Sequence, residues 1–135
     1  MLNNSAFCTY TKIDEIECIE IKHPKFEAQI CLQGAQLTRF KHTEHGDLLW
    51  LSPQAQYKKG ASVRGGIPIC WPWFGALEFN PAIIKESVKT PISSSNAHGF
   101  ARELPWELIE VQESAHGVEV SLQLRHNQDT LKIWP

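Results

Sequence analysis

Apolar and polar residues alternate over short segments throughout this chain, and a period of two is typical of β-strands. Residues 26–33 (FEAQICLQ) place an apolar side chain at every second position, and residues 118–124 (VEVSLQL) repeat the pattern. Further short strands are predicted over residues 17–21, 36–41 and 106–111. No segment has the apolar spacing of a long amphipathic helix. The sequence therefore predicts an all-β fold.

Glycine, proline and small polar residues mark the turns between the predicted strands. Gly34 follows the strand at 26–33, where a hairpin or a bulged turn favours a residue without a Cβ. Residues 44–47 (EHGD) and 115–117 (AHG) predict two more turns. Residues 77–96 contain two prolines and the run SSSN, which predicts a long loop with one turn of helix near residues 82–87.

The composition is that of a folded chain. Of the 135 residues, 42% are hydrophobic and 21% are charged, which suits one domain and argues against disorder. No apolar run approaches the roughly 18 residues that cross a bilayer. A signal peptide begins with a positively charged region, but the first ten residues carry no Lys or Arg. We expect a cytoplasmic protein without a membrane partner.

The net charge of −2 gives no reason to expect nucleic acid as a partner. The distribution of charge is more informative, because residues 48–77 and 87–102 contain no Asp or Glu. The Lys and Arg residues in these two windows are Lys58, Lys59, Arg64, Lys89 and Arg102. Two acid-free basic windows predict a local anion-binding site on a mildly acidic protein.

The four cysteines lack the Cys-x-x-Cys spacing that is typical of structural zinc. A chain with enough apolar residues for a core does not need a disulfide framework. We therefore expect buried thiols at Cys8, Cys18, Cys31 and Cys70. His42 and His45 flank an acidic residue in a predicted turn, and a solvated loop is the favoured interpretation, so no metal site is predicted.

The densest motif is SVRGGIPICWPWFG at residues 62–75. Arg64 offers a planar fork of donors that suits a phosphate or neighbouring hydroxyls, and the two following glycines let the backbone approach a ligand closely. Two prolines stiffen the path of the chain. Three aromatic residues either present an apolar face to a sugar ring or fill the core: Trp71, Trp73 and Phe74.

A second motif, AHGFAR, occupies residues 97–102 and is followed by ELPW. His98 can donate a hydrogen bond to a hydroxyl or accept one from it. Gly99 again permits close approach, and Arg102 is a second candidate for binding an anion. A lone His beside a Gly is usually a satisfied polar residue, and the joint occurrence with Arg64 favours a site.

Together the two motifs resemble the hexose-6-phosphate mutarotases, also called glucose-6-phosphate 1-epimerases, of the aldose 1-epimerase superfamily. The resemblance runs from about residue 16 to Pro135. The segments that carry it are RGGIP at 64–68, CWPWFG at 70–75, HGFAR at 98–102 and LPW at 104–106, with weaker similarity in GAQL at 34–37 and LWLS at 49–52.

The resemblance implies an antiparallel β-sandwich of the galactose-mutarotase type, with the active site in a cleft on one sheet. Members are about twice as long as this chain, so we expect residues 1–135 to be the N-terminal part of a single, incomplete sandwich domain with a long loop at 77–96. By motif matching, Arg64 and Arg102 are expected to bind substrate, with His98 and Trp73 in the sugar site.

The implied reaction opens the cyclic hemiacetal of an aldose and closes it on the other face. It needs a base for the anomeric hydroxyl and an acid for the ring oxygen, and no cofactor or metal. The family's principal acid, a His, and its base, a Glu, lie in the second half, and we expect both beyond Pro135. This chain alone is therefore expected to be inactive, with His98 assisting. The alternation after Arg102 leaves two directions open for the side chain of Glu103, towards solvent or towards the site.

A different class of function stays open at this point. The chain could be a non-catalytic carbohydrate- or sugar-phosphate-binding module that self-associates through exposed sheet edges. The hydrophobic end LKIWP, at residues 131–135, is expected to pack against further protein. The expected ligand is in either case a hexose 6-phosphate or a related aldose.

Overall fold

Antiparallel strands dominate the computed structural model, which describes residues 2–89 and 97–135. Five strands form one sheet in sequential order, and two strands form a second sheet. The strands of the first sheet are β1 (Cys8–Ile13), β2 (Ile16–His23), β3 (Phe26–Cys31), β4 (Gln36–His42) and β5 (Gly46–Asp47). The second sheet consists of β6 (Glu107–Glu113) and β7 (Val118–Gln123).

Short helices accompany the sheets. The α-helices are α1 (Ala82–Ser87) and α2 (Gln128–Ile133), and the 3-10 turns are Leu77–Phe79 and Ala101–Glu103. Asn127 caps α2, because its side chain accepts from the amide of Thr130 while the Thr130 hydroxyl accepts from the amide of Asn127. Within the described ranges, no helix has the length and apolar character that crossing a bilayer requires.

Strand β2 supplies side chains to cores on both faces of the five-stranded sheet, because successive residues of a strand point to opposite sides. Ile19 and Ile21 lie in a core that includes Leu108 of β6, and residues of β7 pack against the same core. Ile16 and Cys18 lie in a second core, together with Cys31 and Val63. The first core joins the two sheets face to face, as in a sandwich.

The predicted strands at 17–21, 26–33, 36–41, 106–111 and 118–124 are all confirmed, with ends that shift by a few residues. The short helix predicted near residues 82–87 is confirmed as α1. The rest of the long-loop prediction is tested only in part, because residues 90–96 lie outside the described residues.

Three of the four cysteines are buried as predicted: Cys8, Cys18 and Cys31. Cys70 is only half-buried, because it lies in the irregular segment that follows the RGG motif and not in a strand of the core. The prediction of a fully buried thiol was therefore wrong for Cys70.

One carboxylate ties the N-terminal segment to the second sheet. Glu113, the last residue of β6, accepts hydrogen bonds from the hydroxyl of Ser5 and from the amides of Ala6 and Phe7, the latter two at 2.9 and 3.0 Å. These donors, led by the Ser5 hydroxyl, lower the pKa of Glu113 to about 2.

Candidate functional site

The AHGFAR motif is attached to the start of β4 by close backbone contact at Gly34. A Cβ added to Gly34 would lie 2.6 Å from the carbonyl oxygen of Arg102, so only glycine fits there. Gly34 has a φ of 76°, in the left-handed region that glycine adopts freely. Its amide donates to the carbonyl of Leu104 at 2.8 Å. The glycine that the sequence marked as a turn therefore also positions Arg102.

The RGG motif is attached to the same strand two residues further on. The buried side chain of Gln36 donates to the carbonyls of Val63 and Gly65, at 2.9 and 2.6 Å. A Cβ on Gly66 would lie 2.2 Å from the carbonyl oxygen of Leu37, so this glycine too is required for contact with β4. The two motifs are thus held by one stretch of backbone, residues 34–37.

The two motifs also contact each other directly. Trp71 forms an isolated parallel bridge with Gly99, and its carbonyl accepts from the amides of Phe100 and Ala101 at 2.8 and 3.1 Å. A Cβ on Gly99 would lie 1.9 Å from the carbonyl oxygen of Trp71. The joint occurrence that the sequence suggested is therefore a physical junction.

His98 is clamped to Gly75 by two hydrogen bonds. The amide of Gly75 donates to Nδ1 of His98 at 2.9 Å, and the amide of His98 donates to the carbonyl of Gly75 at 2.9 Å. Because Nδ1 accepts, the neutral imidazole carries its proton on Nε2. The ring also contacts the ring of Phe74 edge-on, with centroids 4.9 Å apart. His98 therefore presents an Nε2–H donor in a fixed orientation.

The two arginines have guanidinium groups available for a ligand. Arg64 is exposed, and its guanidinium forms no hydrogen bond or ion pair with any residue of 2–89 or 97–135. Arg102 is half-buried, and its Nε is buried without a hydrogen-bond partner in the same ranges. A buried, unsatisfied guanidinium nitrogen is costly unless an anion or a water binds it.

The aromatic residues of the first motif differ in exposure. Trp73 is only 3% exposed, its ring meets that of Phe100 edge-on, and its buried Nε1 has no partner among the described residues. Trp71 and Phe74 are 55% and 74% exposed. The faces open to a sugar ring are therefore those of Trp71 and Phe74, and the role of Trp73 in substrate binding stays a prediction.

Glu103 does not face solvent freely. It is half-buried, and burial raises its pKa, partly offset by the charge of neighbouring Arg102. It borders a cavity of about 430 Å³ that is also lined by Lys12 and Lys59. Neither His98 nor Arg64 lines that cavity, so of these predicted sugar-binding residues only Arg102 lies beside Glu103.

Sequence reasoning did not place any C-terminal residue near the motifs. A cavity of about 120 Å³ lies between Trp71 and Phe100 on one side and Arg125, His126 and Trp134 on the other. The sequence predicted only that the hydrophobic C-terminal segment packs against further protein. Trp134 is half-buried against this cavity.

Among the described residues, one group of side chains could bind a metal ion, and it lies in the turn between β4 and β5. Donor atoms of His42, Glu44 and His45 lie within 4.8 Å of one another, and the two imidazole rings stack with centroids 4.9 Å apart. Nδ1 of His42 already accepts from the amide of Glu44 at 3.1 Å. The turn lies at the opposite end of β4 from residues 34–37, and the absence of a metal cofactor stays a prediction.

The chain is similar to known proteins over most of its length. Residues 17–135 match the aldose 1-epimerase family. The chain belongs to that family. It is 40% identical over 124 residues to an Escherichia coli (strain K12) protein provisionally named a glucose-6-phosphate 1-epimerase, and 38% identical over 124 residues to a protein of the same provisional name from Salmonella typhimurium. These alignments cover 92% of the chain but only 38% of either relative.

Solved structures give the same result for the fold. The crystal structure of YeaD from Salmonella typhimurium, provisionally described as a mutarotase, superposes with a TM-score of 0.82 at 34% identity. The crystal structure of HI1317 superposes with a TM-score of 0.76 at 31% identity. The superpositions cover 98% and 99% of this chain, and 41% and 43% of the solved chains. The mutarotase-type antiparallel fold predicted from the sequence is confirmed.

The predicted principal acid and base are a His and a Glu of the family's second half. The resemblance places both beyond Pro135, which is the last described residue. Their identity and roles therefore stay predictions. The site residues that the structure does describe are Arg64, Trp73, His98 and Arg102, and their roles toward a sugar are likewise predictions.

Proposed function

We propose that this chain carries the substrate-binding part of an active site that interconverts the α and β anomers of a hexose 6-phosphate. The observation that supports this most is the junction of the RGG and HGFAR motifs. In it, Gly34 contacts the backbone of Arg102, and Gln36 bonds the carbonyls of Val63 and Gly65 on either side of Arg64. In a family of aldose 1-epimerases, two guanidinium groups beside such a junction suit a substrate that carries a phosphate.

Arg102 and Arg64 would share the recognition of the anionic sugar. Arg102 has a buried, unpartnered Nε, so a phosphate oxygen or a sugar hydroxyl would satisfy a donor that is otherwise left without a bond. Arg64 is exposed and offers its fork at the edge of the RGG turn. The acid-free window around Arg64 keeps competing carboxylates of the nearby sequence away, whereas Arg102 ends its window and is followed by Glu103.

His98 would assist as a hydrogen-bond donor and not as a base. Its Nδ1 lone pair is occupied by the amide of Gly75, and Nε2 carries the proton in the neutral ring. The Nε2–H can hold a ring or hydroxyl oxygen of the sugar while other groups move protons. The principal acid His and base Glu are those that the resemblance assigns to the family's second half, beyond Pro135.

The remaining expectations follow from the same proposal. The exposed faces of Trp71 and Phe74 would pack against the apolar face of the sugar, with buried Trp73 supporting them. Proton transfer alone opens the ring, so no metal or cofactor takes part. Residues 1–135 would form the N-terminal part of one sandwich domain, in a cytoplasmic protein without nucleic-acid or membrane partners, and with exposed sheet edges able to self-associate.

Magnetisation exchange between the anomeric protons of glucose 6-phosphate tests the activity. A polypeptide that joins this chain to the family's second half should accelerate exchange, while residues 1–135 alone should bind the sugar phosphate without accelerating it. No acceleration by the longer polypeptide would overturn the proposed reaction. If that polypeptide still bound the sugar phosphate tightly, the protein would be a non-catalytic sugar-phosphate-binding module.

A further inference from the structure

Two cysteines lie directly opposite each other at the centre of the five-stranded sheet. Cys18 of β2 pairs with Cys31 of β3 in the strand register. Their sulfur atoms are 3.3 Å apart, and both residues are 0% exposed. Both side chains point into the core that includes Val63, just before the RGG motif. The proposed function uses neither of them.

The backbone at this pair suits a cross-strand disulfide. The amide of Leu32 donates to the carbonyl of Glu17 at 2.9 Å, which makes Glu17 and Leu32 a hydrogen-bonded pair. Because the two kinds of pair alternate along an antiparallel ladder, Cys18 and Cys31 form the non-hydrogen-bonded kind, whose Cα atoms lie about 4.5 Å apart. Disulfides span Cα separations of about 4.4–6.8 Å. Bond formation therefore needs movement of the two sulfur atoms and little of the backbone.

We propose that Cys18 and Cys31 are an oxidative modification site that closes to a disulfide when the protein meets a small peroxide. The thiol of Cys18 donates a hydrogen bond to the sulfur of Cys31, and the hydroxyl of Thr38 lies 3.9 Å from that same sulfur. The hydrogen bond from Cys18 favours the thiolate at Cys31, while the Thr38 hydroxyl directs its proton to Oε1 of Gln29 at 2.8 Å. Cys31 is therefore the sulfur that reacts first, and Cys18 is the resolving thiol.

The pKa values of the two thiols shift in opposite directions, as their hydrogen bond predicts. The hydrogen bond from Cys18 lowers the pKa of Cys31, against the effect of burial, while the same bond and burial raise the pKa of Cys18. A lowered pKa at Cys31 beside a protonated Cys18 makes Cys31 the more readily oxidised sulfur of the pair.

The reaction balances with hydrogen peroxide as the oxidant. The Cys31 thiolate attacks one peroxide oxygen, the O–O bond breaks, and the departing hydroxide takes a proton to become water, leaving a sulfenic acid. The sulfur of Cys18 then attacks the Cys31 sulfur, the S–O bond breaks, and a second water leaves with the Cys18 proton. Two thiols and one peroxide give one disulfide and two waters.

Peroxide reaches the pair by opening of the sheet edge. Strand β1 is the edge strand, and its half-buried Thr11 is the register partner of Cys18. Local opening at an edge strand costs less free energy than global unfolding. Hydrogen peroxide is small and uncharged, so a brief opening is enough for it to enter.

Peptide mapping without reduction tests the proposal. The native 135-residue chain is treated with hydrogen peroxide, its remaining thiols are alkylated after unfolding, and the digest is analysed by mass spectrometry. We expect a linked pair of peptides that contain Cys18 and Cys31, two hydrogen atoms lighter than the free peptides and released by dithiothreitol. Cys8 and half-buried Cys70 serve as internal comparators.

Two variants extend the test. Cys18→Ala should lose the linked peptides and leave a sulfenic acid at Cys31 that dimedone traps, while Cys70→Ala should keep the link. Oxidation confined to Cys70, with Cys18 and Cys31 both recovered as alkylated thiols, would overturn the proposal. So would a link from either residue to Cys8. Because the wild-type map distinguishes these outcomes, the proposal is testable even where Cys18→Ala does not fold.

Discussion

Nδ1 of His98 accepts a hydrogen bond of 2.9 Å from the amide of Gly75, and the amide of His98 returns one of 2.9 Å to the carbonyl of Gly75. This reciprocal pair holds His98 in a left-handed conformation, with φ of 68°, which non-glycine residues seldom adopt. The imidazole is therefore positioned by its backbone and by one of its two nitrogens. The other nitrogen is left for a ligand.

Substitutions at His98 should separate the clamp from the ligand contact. Asn tolerates the left-handed region, and its amide oxygen can accept from Gly75 as Nδ1 does. His98→Asn should therefore keep the stability of the parent to within about 0.5 kcal/mol, while weakening sugar binding. Alanine has no acceptor for Gly75 and disfavours the left-handed region. His98→Ala should therefore lower the free energy of unfolding by about 2 kcal/mol. Urea unfolding and sugar titration measure the two effects, and equal stability losses in both variants would contradict the clamp.

The contact between Gly99 and Trp71 makes Gly99 the most demanding glycine of the site. A methyl group there would meet the carbonyl oxygen of Trp71 at 1.9 Å, and φ is 71°. Gly99→Ala should lower the free energy of unfolding by about 3 kcal/mol or more. Gly117→Ala is the matched control, because nothing lies within 4 Å of the added carbon. A loss at Gly99 no larger than at Gly117 would show that the two motifs are not joined as described.

Removal of either guanidinium should affect phosphorylated sugars selectively. Arg64→Ala and Arg102→Ala should each weaken binding of glucose 6-phosphate more than binding of glucose, by about 1.5–3 kcal/mol. Arg39→Ala is the control, because Arg39 pairs with Glu27 on the sheet at 3.1 Å and should leave both affinities unchanged. Calorimetric titration of each variant measures the difference. Equal losses for the two sugars would mean that the arginines hold hydroxyls and not the phosphate.

Acid should release the N-terminal segment from Glu113. The pKa of this carboxyl is lowered from 4.5 to about 2 by the Ser5 hydroxyl and the amides of Ala6 and Phe7, so its contribution to stability is complete above pH 4.5. That contribution is lost as the pH falls from 4.5 towards 2, where the carboxyl takes up a proton. Glu113→Gln should be less stable than the parent at about pH 7 and should lose less stability over this range. Urea unfolding at several pH values measures how the free energy of unfolding of each protein depends on pH. Parallel curves for the parent and Glu113→Gln would contradict the role of Glu113.

Much of the fold was predictable because strand alternation is a local signal. The segments 26–33 and 118–124 alternate cleanly, and each became a strand at the expected place. Strand β1 was missed because its sequence, CTYTKI, has one buried residue and a mainly polar remainder. It joins the sheet as an edge strand through pairing with β2, which is a tertiary effect that local pattern does not reveal. Helix α2 was missed because six residues are too few to show a helical period.

Sequence motifs indicated which residues belong to the proposed site, but they did not predict its geometry. Motif matching chose Arg64, His98 and Arg102, and the glycines beside them are those that close contact requires. Burial of Trp73, with exposure of Trp71 and Phe74, depends on the irregular path of the chain around Pro72, which alternation does not describe. The left-handed conformation of His98 has no local signal either, because it is imposed by Gly75 from 23 residues away.

The most direct test of the proposed sugar-phosphate site is a titration of the isotope-labelled 135-residue chain with glucose 6-phosphate, followed through its amide NMR signals. We predict saturable shifts concentrated at Gly65, Gly75, His98, Gly99 and Arg102, with much weaker shifts on addition of glucose. Signals of Lys12 and Lys59, which line the separate cavity beside Glu103, should stay in place. Shifts confined to that cavity, or no saturable shift at the two motifs, would contradict the proposed site.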